Sequence, residues 1–292
     1  LMFPLSVALQ SPREDRQNAA QLLLMNLRQH SAPLIDQSVL VSRELIRIAI
    51  LWDEEWYATL EDASRLYFSE GNIQKMLDLL LPLHEKLMGG PQTSHEQAFM
   101  QSYGNELKEA HKCLVEYVEL MDNSVTDIPT SGVRLGQRSG GQPRSKAEAL
   151  LVRAWDFYVP IFKRITPTLK QVVSHNMSVV SPLLVEAHDL DLAIPGTYTL
   201  TGEAVRIKGF SKQLAVILSK QRPRKIRLFG LDGLEYVFLL KGHEDLRQDE
   251  RAMQLFGLVN ALLEHDHRTV DHNLCIQRYA VVPLSPNAGL VG

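Results

Sequence analysis

The chain has 292 residues, 45% apolar and 22% charged, with a net charge of −3 and a pI near 6.4; that is enough for two ordinary globular domains but gives no field to draw in nucleic acid or an anionic membrane surface, so binding to polyanions is not expected. Only Cys113 and Cys275 are present, without metal-ligand spacing, so neither a disulfide framework nor a zinc site follows, and a reducing, cytoplasmic setting fits best. No apolar run approaches the ~20 residues that span a bilayer, and Leu1 to Pro4 lack the basic start and cleavage site of a signal peptide.

Between Ser42 and Phe68 the apolar residues Leu45, Ala49, Trp52, Trp56, Leu60, Ala63 and Tyr67 recur at three- and four-residue steps, which predicts one helix capped by Ser42 and stopped by Gly71. Ile73, Met76, Leu77, Leu80, Leu83 and Leu87 form a second stripe behind Asn72, with Pro82 expected to kink it. Thr93 and Glu96 make a capping box ahead of a third, carried by Phe99, Tyr103, Leu107, Ala110, Leu114 and Tyr117. From about 122 to 144 the residues turn to Gly, Ser, Pro, Thr and Arg, which reads as a flexible insertion. The fourth helix runs from Lys146 to Ile165 on Leu151, Ala154, Tyr158, Ile161 and Ile165, with Pro167 as its end. A four-helix bundle over 41–171 follows.

The period then changes. After a 172–200 linker that contains Pro195-Gly196, short β-rich runs follow at 204–208, 214–218, 225–229 and 234–240, with Leu231-Asp232-Gly233 as a hairpin turn. A long helix over 244–264, carrying Met253, Phe256, Leu258 and Leu262, precedes a last strand-like run at 274–283. The expected fold class is α+β, a four-helix bundle followed by an antiparallel sheet with one long helix.

Lys241 closes the apolar strand Tyr236 to Leu240 just before an acidic helix start. A lysine held there can meet nucleotide phosphates as a point charge, and a carboxylate, Glu244 first and Asp249 second, can hold it extended. A solvated strand edge would look the same. The segment Ser219 to Lys225 offers a hydroxyl and four cations to a phosphate but holds no glycine.

The run Lys241-Gly242-His243-Glu244-Asp245-Leu246-Arg247-Gln248-Asp249-Glu250-Arg251, with Met253 to Asn260 behind it, resembles the kinase N-lobe of the target-of-rapamycin branch of the phosphatidylinositol-3-kinase-related kinases. Glu61 to Phe68, Gly90 to Thr93 and Ala154 to Asp156 resemble that family's rapamycin-binding four-helix domain. Residues 1–40 look like the end of the helical solenoid before it, and 201–292 like the first half of the kinase domain. The resemblance implies an ATP-dependent Ser/Thr protein kinase with Mg2+. Lys241 would contact phosphate, Glu244 pair with it, Ser219 sit in the phosphate loop, and Ile217, Pro223, Leu239, Tyr279 and Val291 line the adenine. Leu60, Ser64, Tyr67, Phe68, Trp155, Asp156, Val159 and Phe162 match the rapamycin groove, in which Trp155 and Phe162 fall beside the core stripe of their helix.

Two departures stand out. Val159 and Val152 replace a tyrosine and a threonine of the family, which implies weakened binding of a rapamycin–immunophilin complex. The catalytic-loop and Asp-Phe-Gly motifs of the family do not occur, and the letters of His265 to Arg268 sit at a helix end; no catalytic residue is expected here, and the isolated chain should be inactive and, through an exposed edge near Gly292, poorly soluble. Protein substrates, complex subunits and endomembrane (lysosome or vacuole) association are implied for a protein of this family. A non-catalytic helical interaction module and a lipid kinase are the alternatives.

Overall fold

A computed structural model describes residues 2–123, 145–198, 202 and 204–292; most of the expected 122–144 insertion lies outside them. The chain forms two compact units, one over residues 51–172 and the other joining 1–50 to 173–292. The second unit opens with helices α1 (Met2–Leu9), α2 (Glu14–His30) and α3 (Ala32–Ala49). The predicted 42–68 helix is therefore two helices. Ile50 and Leu51 take extended backbone, and Leu45 and Ala49 serve a different core from Trp52 and Trp56. An unbroken apolar stripe cannot reveal such a break, because both cores want the same residue types.

Within residues 51–172, α4 (Trp52–Ser64) runs into a π-helical turn, Arg65–Glu70, that Gly71 ends with φ +65°. Helices α5 (Ile73–Met88), α6 (Ser94–Asn123) and α7 (Lys146–Gln171) complete the bundle. Asn72 caps α5 at Lys75 N and Thr93 caps α6 at Glu96 N, both as the sequence predicts. Leu60, Met76, Leu80, Leu107, Leu114, Tyr158 and Ile161 are buried together. Helix α7 does not stop at Pro167 but continues to Gln171. Both Pro160 and Pro167 are exposed, so water can reach the carbonyls their missing amides would have bonded. In the core, His84 Nε2 and the Tyr158 hydroxyl are hydrogen-bonded at 2.7 Å, and the His111 ring lies 4.8 Å from that of His84.

The other unit is a seven-stranded antiparallel sheet. Its strands are β1 (Ser174–Asn176), β2 (Ile207–Phe210), β3 (Gln213–Val216), β4 (Arg224–Gly230), β5 (Glu235–Gly242), β6 (Val281–Ser285) and β7 (Ala288–Val291), in the order β1-β3-β4-β5-β7-β6 with β2 on β4. The short helices α8 (Met177–Val180) and α9 (Pro182–Glu186) belong to the same unit. The described part of the expected 172–200 linker, up to residue 198, is thus not free: β1 pairs with β3, and Met177, Val180, Ser181 and Leu184 are buried. Between β5 and β6 stands α10 (Arg247–His265), and the 274–283 strand shrinks to its last three residues, extended into β6. Met253 is buried on α10, but Leu255, Leu258 and Leu262 are 56%, 59% and 62% exposed.

Glu44 ties α3 to the start of α9. Its side chain is fully buried, accepts from the Ser181 hydroxyl at 2.8 Å and from Arg47 at 3.0 Å, and meets Arg43 at 3.5 Å. Glu44→Ala would leave Ser181 and two guanidinium groups without that acceptor, so urea unfolding should show a loss of about 3 kcal/mol. A loss under about 1 kcal/mol would mean that water replaces the carboxylate freely.

Candidate functional site

Strand pairing decides which side chains can act together on the sheet. Ala215, Lys225, Leu239, Val291 and Val281 lie side by side across β3, β4, β5, β7 and β6. The neighbouring row, Val216, Arg224, Leu240, Leu290 and Val282, is buried throughout. Side chains alternate along a strand, so the first row faces the open side. Ile217 and Pro223 stand two residues beyond it, joined by the Ile217 amide donating to the Pro223 carbonyl at 2.9 Å. Of the expected adenine residues, Ile217, Pro223, Leu239 and Val291 thus come to one face. Tyr279 precedes Val281 by two residues and is 48% exposed. Its segment is held to α10 by Asn260, whose amide donates to the Ile276 carbonyl at 2.9 Å and accepts from the Ile276 amide at 2.8 Å.

Ser219 sits in the turn between β3 and β4, where the Arg222 amide donates to the Ser219 carbonyl. No glycine is needed, because Arg222 takes the left-handed conformation at φ +47°. Lys225 was legible only as one member of a charged loop. The β4 pattern, in which Arg224 is buried and Lys225 exposed, sets it beside Leu239 on the open face.

Lys241 follows Leu239 on the same face of β5. Behind it the chain turns through Gly242 and through His243, which adopts φ +61°. This turn brings Glu244 back to Lys241, with Nζ to Oε2 at 2.9 Å. Asp249, the second choice, is exposed in the first turn of α10, and no ion pair joins it to Lys241 among the described residues. Gly242 fixes the turn from beneath. A Cβ there would come within 2.5 Å of the Ile50 side chain and 2.7 Å of the Ala49 carbonyl at the end of α3. Among the described residues no group of three or more His, Cys, Asp or Glu side chains is placed to hold a metal ion.

In the helical unit, Tyr67 stacks on Trp155 at 5.6 Å and Phe68 lies tilted against it at 5.0 Å. Phe162 stacks on Tyr57 at 4.8 Å. Trp155, Val159 and Phe162 follow at i, i+4 and i+7 along α7, with Asp156 exposed beside them. Leu60 is only 1% exposed and Ser64 half-buried, so these two support the surface rather than form it. Trp155 sits deeper than its place beside the core stripe implies, at 6% exposure. Its indole N–H is buried without a hydrogen-bond partner among the described residues. Val159 and Val152 are 39% and 41% exposed. Burial raises the Tyr67 phenol above its usual pKa.

Residues 44–167 match the FKBP12-rapamycin binding domain family and residues 235–292 the phosphatidylinositol 3- and 4-kinase family. The whole chain is 50% identical to the serine/threonine-protein kinase TOR of Oryza sativa subsp. japonica, 49% to that of Arabidopsis thaliana and 47% to the serine/threonine-protein kinase mTor of Drosophila melanogaster. It spans 11% of the length of each.

Proposed function

Since this chain belongs to the target-of-rapamycin family of serine/threonine protein kinases, we propose that its sheet is the ATP-binding half of a kinase that phosphorylates Ser/Thr of protein substrates in growth and nutrient signalling. The observation that carries this reading is the Lys241–Glu244 pair at 2.9 Å on the open face, beside the apolar row through Leu239 and Val291. The apolar row offers the adenine a flat surface, and Lys241, steadied by Glu244, donates to phosphate oxygens. ATP with Mg2+ supplies the phosphoryl group. The metal ligands and catalytic base, on this reading, lie in residues beyond this sequence, so the chain alone binds nucleotide at most weakly and does not turn over. Complex subunits carry the protein to endomembranes from the cytoplasm.

The helical unit binds a rapamycin–immunophilin complex weakly, because Val159 gives the groove less ring surface than a tyrosine would. Val159→Tyr should tighten that complex about two- to tenfold in a titration, since an aromatic contact adds roughly 0.5–1.5 kcal/mol beyond its area. Equal affinities for the two proteins would sink this explanation. Phosphate transfer to phosphoinositide instead of protein would favour a lipid kinase, and unchanged nucleotide binding after Lys241→Ala, in a protein made at the length of its relatives, would favour a non-catalytic helical module.

A further inference from the structure

A cavity of 610 Å³ lies where the α1–α2 corner meets the start of α10 and the β6–β7 turn. Its wall carries four arginines, Arg13, Arg16, Arg247 and Arg251, against one carboxylate, Glu250. Val7, Ala8, Pro283 and Pro286 supply the apolar remainder. The arginines come in two pairs at helical spacing, i,i+3 around the start of α2 and i,i+4 along α10, so each pair shares one helix face.

Their pairing is uneven. Arg13 gives Nε and Nη2 to Asp15 at 3.1 and 2.6 Å, and Arg247 gives the same two atoms to Asp245 at 2.8 and 2.6 Å. Each of these two is held in a fixed fork with its Nη1 amine still free of that partner. Arg16 and Arg251 are exposed and make no ion pair among the described residues. The N-cap residues Arg13 and Leu246 make no side-chain cap, and on α10 the Arg247 amide donates instead to Asp245 Oδ1 at 3.1 Å. Arg16 and Arg251 are thus the two cavity cations whose charge no ion pair offsets among the described residues, and an anion between them would supply that partner.

We propose that this cavity is a binding site for a small, soluble phosphate-bearing anion, with Arg16 and Arg251 as the principal cations and Arg13 and Arg247 as pre-oriented donors. Guanidinium groups bind phosphate oxygens in paired hydrogen bonds, and a concave volume of this size suits a small molecule rather than a chain or a flat surface. The net charge of −3 does not report such a place, because it averages over the whole surface.

The test is calorimetric titration of the chain with pyrophosphate at low salt, on the wild type, Arg16→Gln/Arg251→Gln, Arg268→Gln and Lys241→Ala. Both cavity arginines are exposed, so the double variant leaves the fold alone; Arg268 lies past the far end of α10 and controls for unspecific charge. Expected is saturable binding that weakens at least about tenfold in the double variant and stays within about twofold in Arg268→Gln. Absence of wild-type binding, equal weakening with Arg268→Gln, or loss in Lys241→Ala with retention in the double variant would overturn the proposal. The last of these would assign the anion to the nucleotide face and leave the proposed function standing.

Discussion

Lys241→Ala, in a protein made at the length of its relatives, is expected to lower the rate of protein phosphorylation at least about 100-fold. A preorganised cation that meets charge developing on a phosphoryl group contributes on that scale. Glu244→Gln should cost less, about tenfold. It removes the carboxylate that holds Nζ at 2.9 Å but leaves the cation on β5. Lys241→Arg should fall between them, since the planar fork replaces a point charge and reaches differently. Steady-state kinetics in ATP would locate the loss. Retention of half the activity in Lys241→Ala would remove this residue from the chemistry. The second support of the turn is steric. Gly242→Ala pushes a methyl onto Ile50 and the Ala49 carbonyl and should mimic Glu244→Gln by moving the turn.

Acidification from pH 8 to pH 5 should destabilise the helical unit by about 2 kcal/mol through His84 alone. This ring is 1% exposed, its Nε2 is engaged by Tyr158, and burial, with His111 adding repulsion, lowers its pKa from 6.5 to about 3. The unfolded chain takes up a proton near pH 6.5 and the folded one does not until about pH 3, so the stabilisation is complete above 6.5 and declines as pH falls through that window. His111 is lowered by its own burial and acts in the same direction. All three tryptophans, Trp52, Trp56 and Trp155, lie in this core, so their fluorescence follows this unit in urea melts at each pH. His84→Gln keeps a hydrogen-bonding group for Tyr158 but cannot titrate, and most of the slope between pH 8 and 5 should vanish. An unchanged slope would mean that the buried ring is not the acid-sensitive group.

The amphipathic stripes of the bundle were legible in the sequence because helical periodicity is a local property. Met76, Leu80, Leu107, Leu114, Tyr158 and Ile161 are buried where the three- and four-residue steps put them. The caps at Asn72 and Thr93 were legible too, since a side-chain acceptor three residues ahead of an orphan amide is a local event. The Lys241–Glu244 pair could be named from its spacing, although the choice over Asp249 depended on the left-handed turn at His243.

Residues distant in sequence were decided by tertiary structure. Residues 2–50 and 173–198 join the sheet because their apolar faces find partners there, not because their composition differs from that of a linker or a separate solenoid. The depth of Trp155 and the exposure of Leu258 and Leu262 depend on which neighbours arrive, and helical spacing is silent on that. Arg13 and Arg16 meet Arg247 and Arg251 across more than two hundred residues of chain. Composition and local periodicity by themselves determined which elements form and which residue types could carry phosphate chemistry. Only long-range packing decided which of those residues share a surface, because burial and charge proximity are properties of contacts that the order of residues does not contain.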